Sequence, residues 1–483
     1  MHDSPPTDPS ADALASDDSS DTTEISWSEA LRTWTRIALL SFGGPTGQIA
    51  VMHRILVDEK RWFSEERFLH ALNFCMLLPG PEAQQLATYL GWLLHRTWGG
   101  IVAGTLFILP GVLAILGLSI LYVECQEVFV VHGVLLGLKA AVLAIVAEAV
   151  QRIGKRVLKR RPLIAIAVVA FLGIFLLGIP FPVLIVLAGI VGFVGGRIWP
   201  EVFASAGHGK PQSGSKPNSA SGESATAKER RPVVDRVAQW ELPQPTWGRA
   251  LRVSALCLTL WWAPVLFVAW WQGGDSVYVA QSLFFSKAAM VTFGGAYSVL
   301  SYVAQQAVER FHWLTPPEML DGLGLAETTP GPLIMVVQYV AFLGAYRNPG
   351  TLPPLSAAIL GSLLTTWVTF VPCFYWIFLG APYIERLRSN RAWNSTLTAI
   401  TAAVVGVVFN LAVWFAIHTL FAKVDTLSWG PVRLLWPEFG TYEAATIVIG
   451  LLAFALTFVW KRGMAQTLAA CATAGVLWQA IWG

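Results

Sequence analysis

Long stretches without a single charged residue constrain this chain more than any other feature. A transmembrane helix needs about 20 mostly apolar residues to cross the hydrocarbon core of a bilayer. Six charge-free stretches are long enough for one or two such crossings, and they cover residues 97–123, 162–196, 253–274, 348–384, 392–422 and 463–483. The short alternating segments of outer-membrane barrel strands are missing. The sequence therefore predicts an all-α integral membrane protein.

Composition, cysteine spacing and motif content argue against several other classes of protein. Only 13% of the 483 residues are charged, 55% are hydrophobic and the net charge is +3, so nothing indicates nucleic-acid binding. The five cysteines lie singly in apolar surroundings without a CxxC pair, which indicates neither disulfides nor a metal site. No catalytic or phosphate-binding motif stands out in the sequence. We therefore expect no cofactor, no metal and no enzymatic activity.

Two halves of the chain carry the same motifs at the same spacing. Phe-Gly-Gly at 42–44 recurs 251 residues later at 293–295, and Pro-Gly-Pro at 79–81 recurs at the same distance at 330–332. We call these the FGG motifs and the PGP motifs. Later segments of the two halves match at an offset of 262. This self-similarity indicates a duplicated fold, as in many secondary transporters.

The apolar segments place six helices in each half. They are expected at 31–52, 68–94, 100–123, 128–150, 163–178 and 181–197, and again at 276–303, 317–345, 354–378, 392–420, 443–460 and 464–482. A further helix, 251–271, precedes the second half and has no counterpart in the first. Because each half has an even number of crossings, this extra helix would invert the second half. The expected fold is about thirteen transmembrane helices in two inverted repeats with broken helices.

Composition also divides the chain into segments. The first residues are acidic and rich in Ser, Asp and Pro, without the apolar core of a signal peptide. A second polar stretch, rich in Ser, Gly and Lys, precedes the extra helix and is typical of a soluble linker. The predicted segments are a disordered tail 1–26, a first repeat 27–200, a linker 201–247, an extra transmembrane helix 248–274 and a second repeat 275–483.

Basic residues in the loops predict the orientation of the chain. Six Lys or Arg residues between 152 and 161, the linker, and Lys461 with Arg462 fall on one side in this count, and that side should be the cytoplasm. The Arg54–Arg67 loop also carries four Lys or Arg residues but falls on the opposite side. This conflict leaves open that the first or the second helix is a re-entrant segment.

Each PGP motif predicts a helix break inside the membrane. Because proline lacks a backbone N–H, the second half-helix would start at Pro81 or Pro332, with free N–H groups and the positive end of its dipole toward the bundle interior. Such a helix end is suited to bind an anion. The alternative is a packing kink without a ligand, which two copies at equivalent positions make less favoured.

The FGG motifs lie in the first helix of each half. A glycine pair permits either close helix packing or backbone contact with a ligand. Ser41 and Thr292 directly precede the two motifs, and Arg36 and Lys287 occupy the same position of each helix. The two cations would offset the charge of a bound dianion, Arg36 as a fork and Lys287 as a point charge. Snorkelling of both side chains to the membrane surface is the alternative.

Polar residues near the PGP motifs are candidates for proton coupling or for anion contact. Glu82 directly follows the first motif, where a carboxylate is also a favourable partner for the helix dipole. Glu327 precedes the second motif and has no acidic equivalent in the first half. Gln85 and Gln338 would either donate to an oxyanion or link helices. Glu148 is expected to form an exposed pair with the arginine four residues later.

Both halves resemble a known family. The segments FGGPTGQIAVMHRILVDEKRWFSEERFLHAL (42–72) and LLPGPEAQQLATYLGWLLHRTWGGIVAGTLFILPG (77–111), with TFGGAYSVLSYVAQQ and TTPGP in the second half, are similar to the chromate ion transporter family in its long, two-domain form. The resemblance leaves out the tail and the linker. It implies an inner-membrane transporter that exports chromate and confers chromate resistance, with sulfate as the isosteric competitor.

We therefore expect a multi-pass secondary transporter for chromate in the lipid bilayer of the bacterial inner membrane, with its N-terminus and linker in the cytoplasm. The alternatives are uptake or exchange of sulfate or another oxyanion, and a membrane-embedded chromate reductase. A homodimer is left open. The expected substrate-binding residues are Arg36, Ser41, Gly43, Gly44, Pro79, Gly80, Pro81, Glu82, Gln85, Lys287, Thr292, Gly294, Gly295, Pro330, Gly331, Pro332 and Gln338, and the coupling candidates are Glu82 and Glu327.

Overall fold

The computed structural model describes residues 25–125, 128–203, 246–383 and 391–482. Nearly all of the predicted tail and most of the predicted linker lie outside these residues. In the described part, seven helices are long and apolar enough to cross a membrane, and three shorter helices are also apolar. This agrees with the predicted helical membrane protein. The count of about thirteen crossings and the inversion of the repeats stay predictions.

In the described residues of the first half, all regular elements are helices. They are α1 (Trp27–Leu40), α2 (Gly44–His53, extended by a π-helical turn at Arg54–Glu59), α3 (Glu65–Cys75), α4 (Glu82–Cys125, with a bend at His95 and Arg96), α5 (Phe129–Val157), α6 (Arg161–Phe175), α7 (Phe181–Ile198) and the one-turn α8 (Pro200–Phe203).

The second half begins after the unrepeated helix α9 (Trp247–Gln272). It contains α10 (Val277–Met290), α11 (Ala296–Gln305, extended by a π-helical turn at Gln306–Arg310), α12 (Pro316–Thr328), a 3-10 turn (Leu333–Met335) leading into α13 (Val336–Arg347), α14 (Pro354–Gly380, followed by a 3-10 turn at Ala381–Tyr383), α15 (Arg391–Leu420), β1 (Val424–Trp429), β2 (Val432–Pro437), a 3-10 turn (Phe439–Thr441), α16 (Ala444–Phe454, with a π-helical turn at Ala455–Val459) and α17 (Met464–Trp482).

The expectation of continuous helices at 31–52 and 276–303 is wrong. Each of these segments is broken at its FGG motif, so that α1 and α2 replace the first and α10 and α11 the second. The physical reason is backbone conformation. Gly43 has φ +86° and Gly294 has φ +74°, a left-handed geometry that cannot continue a right-handed helix and that favours glycine. The sequence alone predicts only that these glycines permit close helix packing or backbone contact with a ligand.

The all-α expectation also misses a β-hairpin. Strands β1 and β2 pair antiparallel between α15 and α16, with Val424 opposite Pro437 and Trp429 opposite Val432. Gly430 turns the chain at φ +62°. The backbone N–H of Arg433 donates to the carbonyl of Leu176 at 2.7 Å, which fixes the hairpin over the α6–α7 loop. The segment is too short and too polar to be recognised among the long apolar stretches.

The first half contains two helical hairpins whose open ends lie together. At the end of the α2 segment, Lys60 Nζ lies 2.8 Å from Glu29 Oε1 near the start of α1. Nε2 of His95, at the bend of α4, lies 2.8 Å from the carbonyl oxygen of Ile25. Therefore α2 and the first part of α4 both return to the end of the molecule where α1 begins.

The second half repeats this arrangement. The hydroxyl of Tyr278, at the start of α10, donates to the carbonyl of Pro349 just beyond α13 at 2.9 Å. Arg347, the last residue of α13, donates to the carbonyl of Trp313 at 3.0 Å and pairs with Glu318 at the start of α12. The open ends of α10–α11 and α12–α13 thus also lie together, and the helix breaks form the tips of the hairpins.

The long helices of the two halves pack against each other. Helix α5 of the first half contacts α12, α15, α16 and α17 of the second, and α15 in turn contacts α6 and α7. Glycines permit the closest approaches. A Cβ atom added at Gly137 of α5 would lie 2.0 Å from the carbonyl oxygen of Cys471 in α17. The interface between the halves is therefore part of the core.

We expect Gly137→Leu to destabilise the protein by at least the roughly 1–3 kcal/mol typical of overpacking, because the backbones of α5 and α17 must separate. Gly117→Leu is the matched control, since an added Cβ at Gly117 meets no atom within 4 Å. Thermal unfolding of the purified proteins in detergent measures the difference. Equal unfolding temperatures for the two variants would contradict the packing of α5 on α17.

Candidate functional site

Both PGP motifs break a helix, as predicted. Helix α3 ends at Cys75 and α4 begins at Glu82, while α12 ends at Thr328 and the next helical turn begins at Leu333. The central glycines adopt left-handed conformations, with φ +124° at Gly80 and φ +100° at Gly331. A proline on each side removes further N–H donors. Together with the FGG breaks, the described chain has four interruptions at the tips of the four hairpins.

The PGP motif of each half is hydrogen-bonded to the FGG region of the other half. The N–H of Gly80 donates to the carbonyl of Thr292 at 2.8 Å, and the N–H of Gly331 donates to the carbonyl of Ser41 at 2.9 Å. These two bonds are equivalent under the repeat. They bring the predicted residues of both halves to one place, although about half the chain separates the partners.

The hydroxyl groups at the FGG breaks are already engaged with their own helices. Ser41 Oγ donates to the carbonyl of Ile37 at 2.6 Å, and Thr292 Oγ1 donates to the carbonyl of Ala288 at 2.7 Å. The carbonyl of Ala288 also accepts a hydrogen bond from the backbone N–H of Val291 at 3.2 Å. Because its single proton is engaged in the bond to its own helix, each hydroxyl can still accept a hydrogen bond but cannot donate one to an oxyanion in this state.

Each PGP break makes a close contact with the opposite half. A Cβ atom at Gly331 would lie 3.2 Å from Cα of Gly111 in α4, and one at Gly80 would lie 2.9 Å from Sγ of Cys373 in α14. Gly111 and Cys373 are equivalent positions of the two repeats. Each PGP tip therefore packs on a long helix of the opposite half, where a larger residue would displace it.

Glutamine side chains satisfy the backbone carbonyls near the breaks. Gln85 Nε2 donates to the carbonyl of Pro79 at 2.7 Å, Gln48 Nε2 donates to that of Gly331, and Gln338 Nε2 donates to that of Val112 in α4 at 3.1 Å. For Gln338 this is the helix-linking role that the sequence left open. The Oε1 atoms of these three glutamines are buried without a hydrogen-bond partner in the described part of the chain.

Glu327 is buried beside the second PGP motif. Its Oε1 accepts a hydrogen bond from the hydroxyl of Tyr297, which lies two residues after the second FGG motif. Its Oε2 is buried and has no hydrogen-bond partner among the described residues. The first half has Thr46 and Met76 at these two positions. The pair of Tyr297 and Glu327 is therefore specific to the second half.

Two arginines near the end of helix α5 interact with residues next to the PGP breaks. Arg156 Nη2 donates to Sδ of Met76 at 3.4 Å, and Arg156 is the cation that acts electrostatically on Glu82. One turn earlier, Arg152 acts on Glu327. Arg152 also forms the expected exposed pair with Glu148, at 3.7 Å. A thioether is a weak acceptor, so the guanidinium of Arg156 has capacity for a stronger one.

The structure does not bring Arg36 and Lys287 to the breaks. Arg36 is 51% exposed and its Nη1 lies 2.7 Å from Oε2 of Glu59. Lys287 is exposed on α10 with Leu283 and Met290 on the same face. Both side chains therefore lie on the exposed faces of their helices, opposite the residues that α1 and α10 bury.

A small cavity lies beside the tips. It has a volume of about 10 Å³ and borders Pro81, Thr292 and Ile334, among other residues. A volume of this size holds a single water molecule at most. A tetrahedral oxyanion therefore does not fit this cavity. In the described residues, no group of three or more His, Cys, Asp or Glu side chains is placed to hold a metal ion.

Gln48 and Tyr297 are not among the residues that the sequence singles out, and the sequence gives Arg152 and Arg156 no role at the breaks. Spacing from the motifs was the available signal for the first two: Gln48 lies four residues after the first FGG motif and Tyr297 two residues after the second. For the arginines the sequence carried no such signal, because their approach to the breaks depends on how α5 packs.

Comparison with known proteins places these observations in a family context. The family model described as Chromate transporter matches residues 28–193 and 279–476, one region in each half. A chromate transport protein of Pseudomonas aeruginosa is 30% identical over 394 residues, which is 80% of this chain and 80% of that protein. One from Cupriavidus metallidurans is 26% identical over 375 residues, 77% of this chain and 78% of that protein.

A probable chromate transport protein of Synechococcus elongatus is 22% identical over 433 residues, 88% of this chain and 94% of that protein. No solved structure matches the chain significantly. The regions that match the family model contain both FGG motifs, both PGP motifs and helix α5.

Alanine at the PGP glycines should lower the unfolding temperature more than alanine at an unrelated left-handed glycine. Gly80→Ala and Gly331→Ala combine backbone strain of roughly 1–2 kcal/mol with close contacts to the opposite half. Gly350→Ala is the control, since Gly350 has φ +63° and its added Cβ would come no closer than 3.7 Å to another group. Thermal unfolding measures all three. A larger loss at Gly350 would argue against tight docking of the tips.

Proposed function

This chain belongs to the chromate transporter family, and from that premise we propose that it is a secondary transporter that exports chromate across the bacterial inner membrane and so confers chromate resistance. The observation that carries the proposal is the reciprocal pair of hydrogen bonds between the PGP and FGG breaks. Paired broken helices at a repeat interface are the usual setting of a transporter substrate site. The printed names of the relatives support chromate as the substrate.

We propose that the halves are inverted repeats that enter the membrane from opposite faces. In this arrangement each half begins with two re-entrant hairpins, followed by four crossings, and α9 adds the crossing that inverts the second half. Nine of the described helices would then cross the membrane, in place of the about thirteen that the sequence predicts. Two features support this arrangement. Helix α1 has 14 residues, fewer than the about 20 that a crossing needs. The tips of the two sets of hairpins also meet, as expected for hairpins that enter from opposite sides.

The re-entrant hairpins would also remove the conflict in the loop charges. If α1–α2 and α3 with the first part of α4 do not cross, the Arg54–Arg67 segment lies on the same face as the basic residues between 152 and 161. By the positive-inside rule this face is the cytoplasm. The N-terminus and the linker then lie there as well, in agreement with the orientation that the sequence predicts.

The proposed substrate site lies between the PGP tips, on the side reached by Arg152 and Arg156. The first turns of α4 and of the helix after Pro332 present free N–H groups and positive dipole ends, which suit a tetrahedral dianion. Arg156 would exchange its contact with the Met76 sulfur for a charge-assisted bond to an oxyanion. Glu82 and Glu327, the carboxylates that the sequence singles out, flank this site.

The membrane potential is a sufficient energy source for export in this scheme. Each negative charge that leaves a cell with a negative interior releases about 2.3 kcal/mol of free energy per 100 mV, and chromate carries two negative charges. No ATP-binding motif occurs in the sequence. The cavity beside Pro81 and Thr292 is too small for an oxyanion, so in this scheme the tips separate during transport. Alternating separation toward the two faces would carry the anion across.

Transport into everted membrane vesicles tests the proposal. Energised vesicles that contain the protein should accumulate labelled chromate, excess sulfate should compete, and an ionophore that collapses the membrane potential should slow the accumulation. Vesicles from cells without the protein are the control. Chromate uptake equal to this control would contradict chromate export. Preferential sulfate accumulation would favour the alternative of a sulfate transporter.

Replacing Arg156 should impair transport more than replacing Arg36. A hydrogen bond to a charged group contributes about 1.5–3 kcal/mol, so Arg156→Gln should weaken chromate binding by about tenfold or more. The exposed pair of Arg36 with Glu59 contributes at most about 1 kcal/mol, so Arg36→Gln should transport nearly as well as wild type. Initial rates at matched membrane levels give the comparison. The opposite ranking would place Arg36 in the site.

A further inference from the structure

An ion pair buried among apolar helices joins the two halves away from the PGP breaks. Nζ of Lys139, in α5, lies 3.3 Å from Oδ2 of Asp321, in α12. The hydroxyl of Tyr122, near the end of α4, donates to the same carboxylate oxygen at 3.0 Å. The side chain of Asp321 is only 3% exposed. Both charged residues lie in otherwise apolar parts of their helices, where an ionisable group suggests a function.

The carboxylate of Asp321 has room for one more interaction. Its Oδ1 is buried and has no hydrogen-bond partner in the described residues. Lys139 keeps 25% of its side chain exposed, so the pair extends from the buried oxygen to the surface of the bundle. A carboxylate with one unpaired oxygen, next to a partly exposed ammonium group, can accept a proton.

Few ionisable groups surround this carboxylate. Helix α12 packs against α4, α5, α13, α15 and the 3-10 turn before α13. From these elements the groups that face Asp321 are Lys139, Tyr122 and Tyr339, and its own helix adds Glu318 one turn earlier. In α15 the ionisable residues stand only at the two ends of the helix, and the 3-10 turn has none. Lys139 is therefore the counter-charge of Asp321.

Stability alone does not account for this pair. Burying two charges costs about as much as their attraction returns, so apolar residues of similar size would serve a purely structural purpose as well. The repeat provides an internal comparison, because the equivalent positions of the other half are Thr401 for Lys139 and His70 for Asp321. The duplicated fold thus forms in the other half without this acid and this amine.

We propose that Asp321 and Lys139 form the proton-binding site that couples chromate export to proton uptake. The inference rests on the proposed transport function. In the paired state the carboxylate is held by Lys139 and Tyr122. Proton uptake forms one O–H bond on Oδ1 and removes the negative charge that holds the ammonium group. Proton release breaks the same O–H bond and restores the pair, so no other reactant is needed.

The position of Asp321 connects this step to the substrate site. Asp321 and Glu327 lie on the same helix, six residues or about 9 Å apart along its axis. Helix α12 leads directly into the second PGP break, and the pair with Lys139 fixes it to α5 of the first half. Loss of the pair frees α12 to move relative to α5. This is the movement that separation of the tips requires.

The test uses the whole protein in liposomes, with the membrane potential clamped by potassium and valinomycin and with a pH-sensitive dye. Under this clamp, an imposed pH gradient should speed chromate transport by wild type several-fold, and a chromate pulse should move protons in the opposite direction. The charge-neutral double variant Lys139→Gln with Asp321→Asn leaves no unpaired buried charge. It should still transport chromate, without response to the pH gradient and without proton movement.

A control separates this site from ion pairs in general. Glu318→Gln with Arg347→Gln removes an ion pair from the first turn of the same helix, and it should keep the response of wild type. A double variant at Lys139 and Asp321 that responds to the pH gradient like wild type would overturn the proposal. Such a persistent response would mean that the gradient acts by protonating chromate itself.

Two outcomes with the wild-type protein distinguish a failure of the coupling site from a failure of the proposed transport function. Chromate transport by wild type that ignores the pH gradient would overturn the coupling site and leave chromate transport standing. No chromate transport by wild type at all would overturn the proposed function, and the coupling site with it.

Discussion

In the core of a bilayer no water is available to the backbone, so every N–H and C=O freed by a helix break needs a partner within the protein. Four breaks make this constraint decisive here. The N–H of Gly80 is satisfied by the carbonyl of Thr292, and the N–H of Gly331 by that of Ser41. Glutamine amides satisfy carbonyls at the PGP breaks. Each half thus completes the hydrogen bonding of the other, and neither set of hairpin tips is complete alone.

The hydrogen bonds between the tips lie at the boundary between the two halves. The bonds that join the tips cross from one half to the other, and the long helices around them, such as α5 against α15 and α17, pack across the same boundary. In the proposed transport cycle, separating the tips means giving up a small number of identified hydrogen bonds while the long helices remain packed. A small cavity of about 10 Å³ lies beside the tips at Pro81 and Thr292.

The repeat also separates residues that build the scaffold from residues that give it chemistry. The glycines and prolines of the breaks occur in both halves, as the shared backbone geometry requires. The pairs Tyr297 with Glu327 and Lys139 with Asp321 occur once, and so does Arg156 beside Met76. A repeated scaffold that carries these ionisable groups in only one of its halves can treat its two faces differently.

The sequence by itself determined the membrane class, the duplication and the PGP breaks, because these depend on composition and on local backbone chemistry. The FGG breaks were also local, yet glycine pairs fit a continuous helix equally well until the left-handed φ of Gly43 and Gly294 is known. Only the tertiary structure decided which cations reach the breaks: Arg36 lies on the outer face of α1, whereas Arg156 reaches Met76. The face that a helix turns inward, and the pairing of Lys139 with Asp321 across 182 positions, depend on packing between distant segments, which no local pattern encodes.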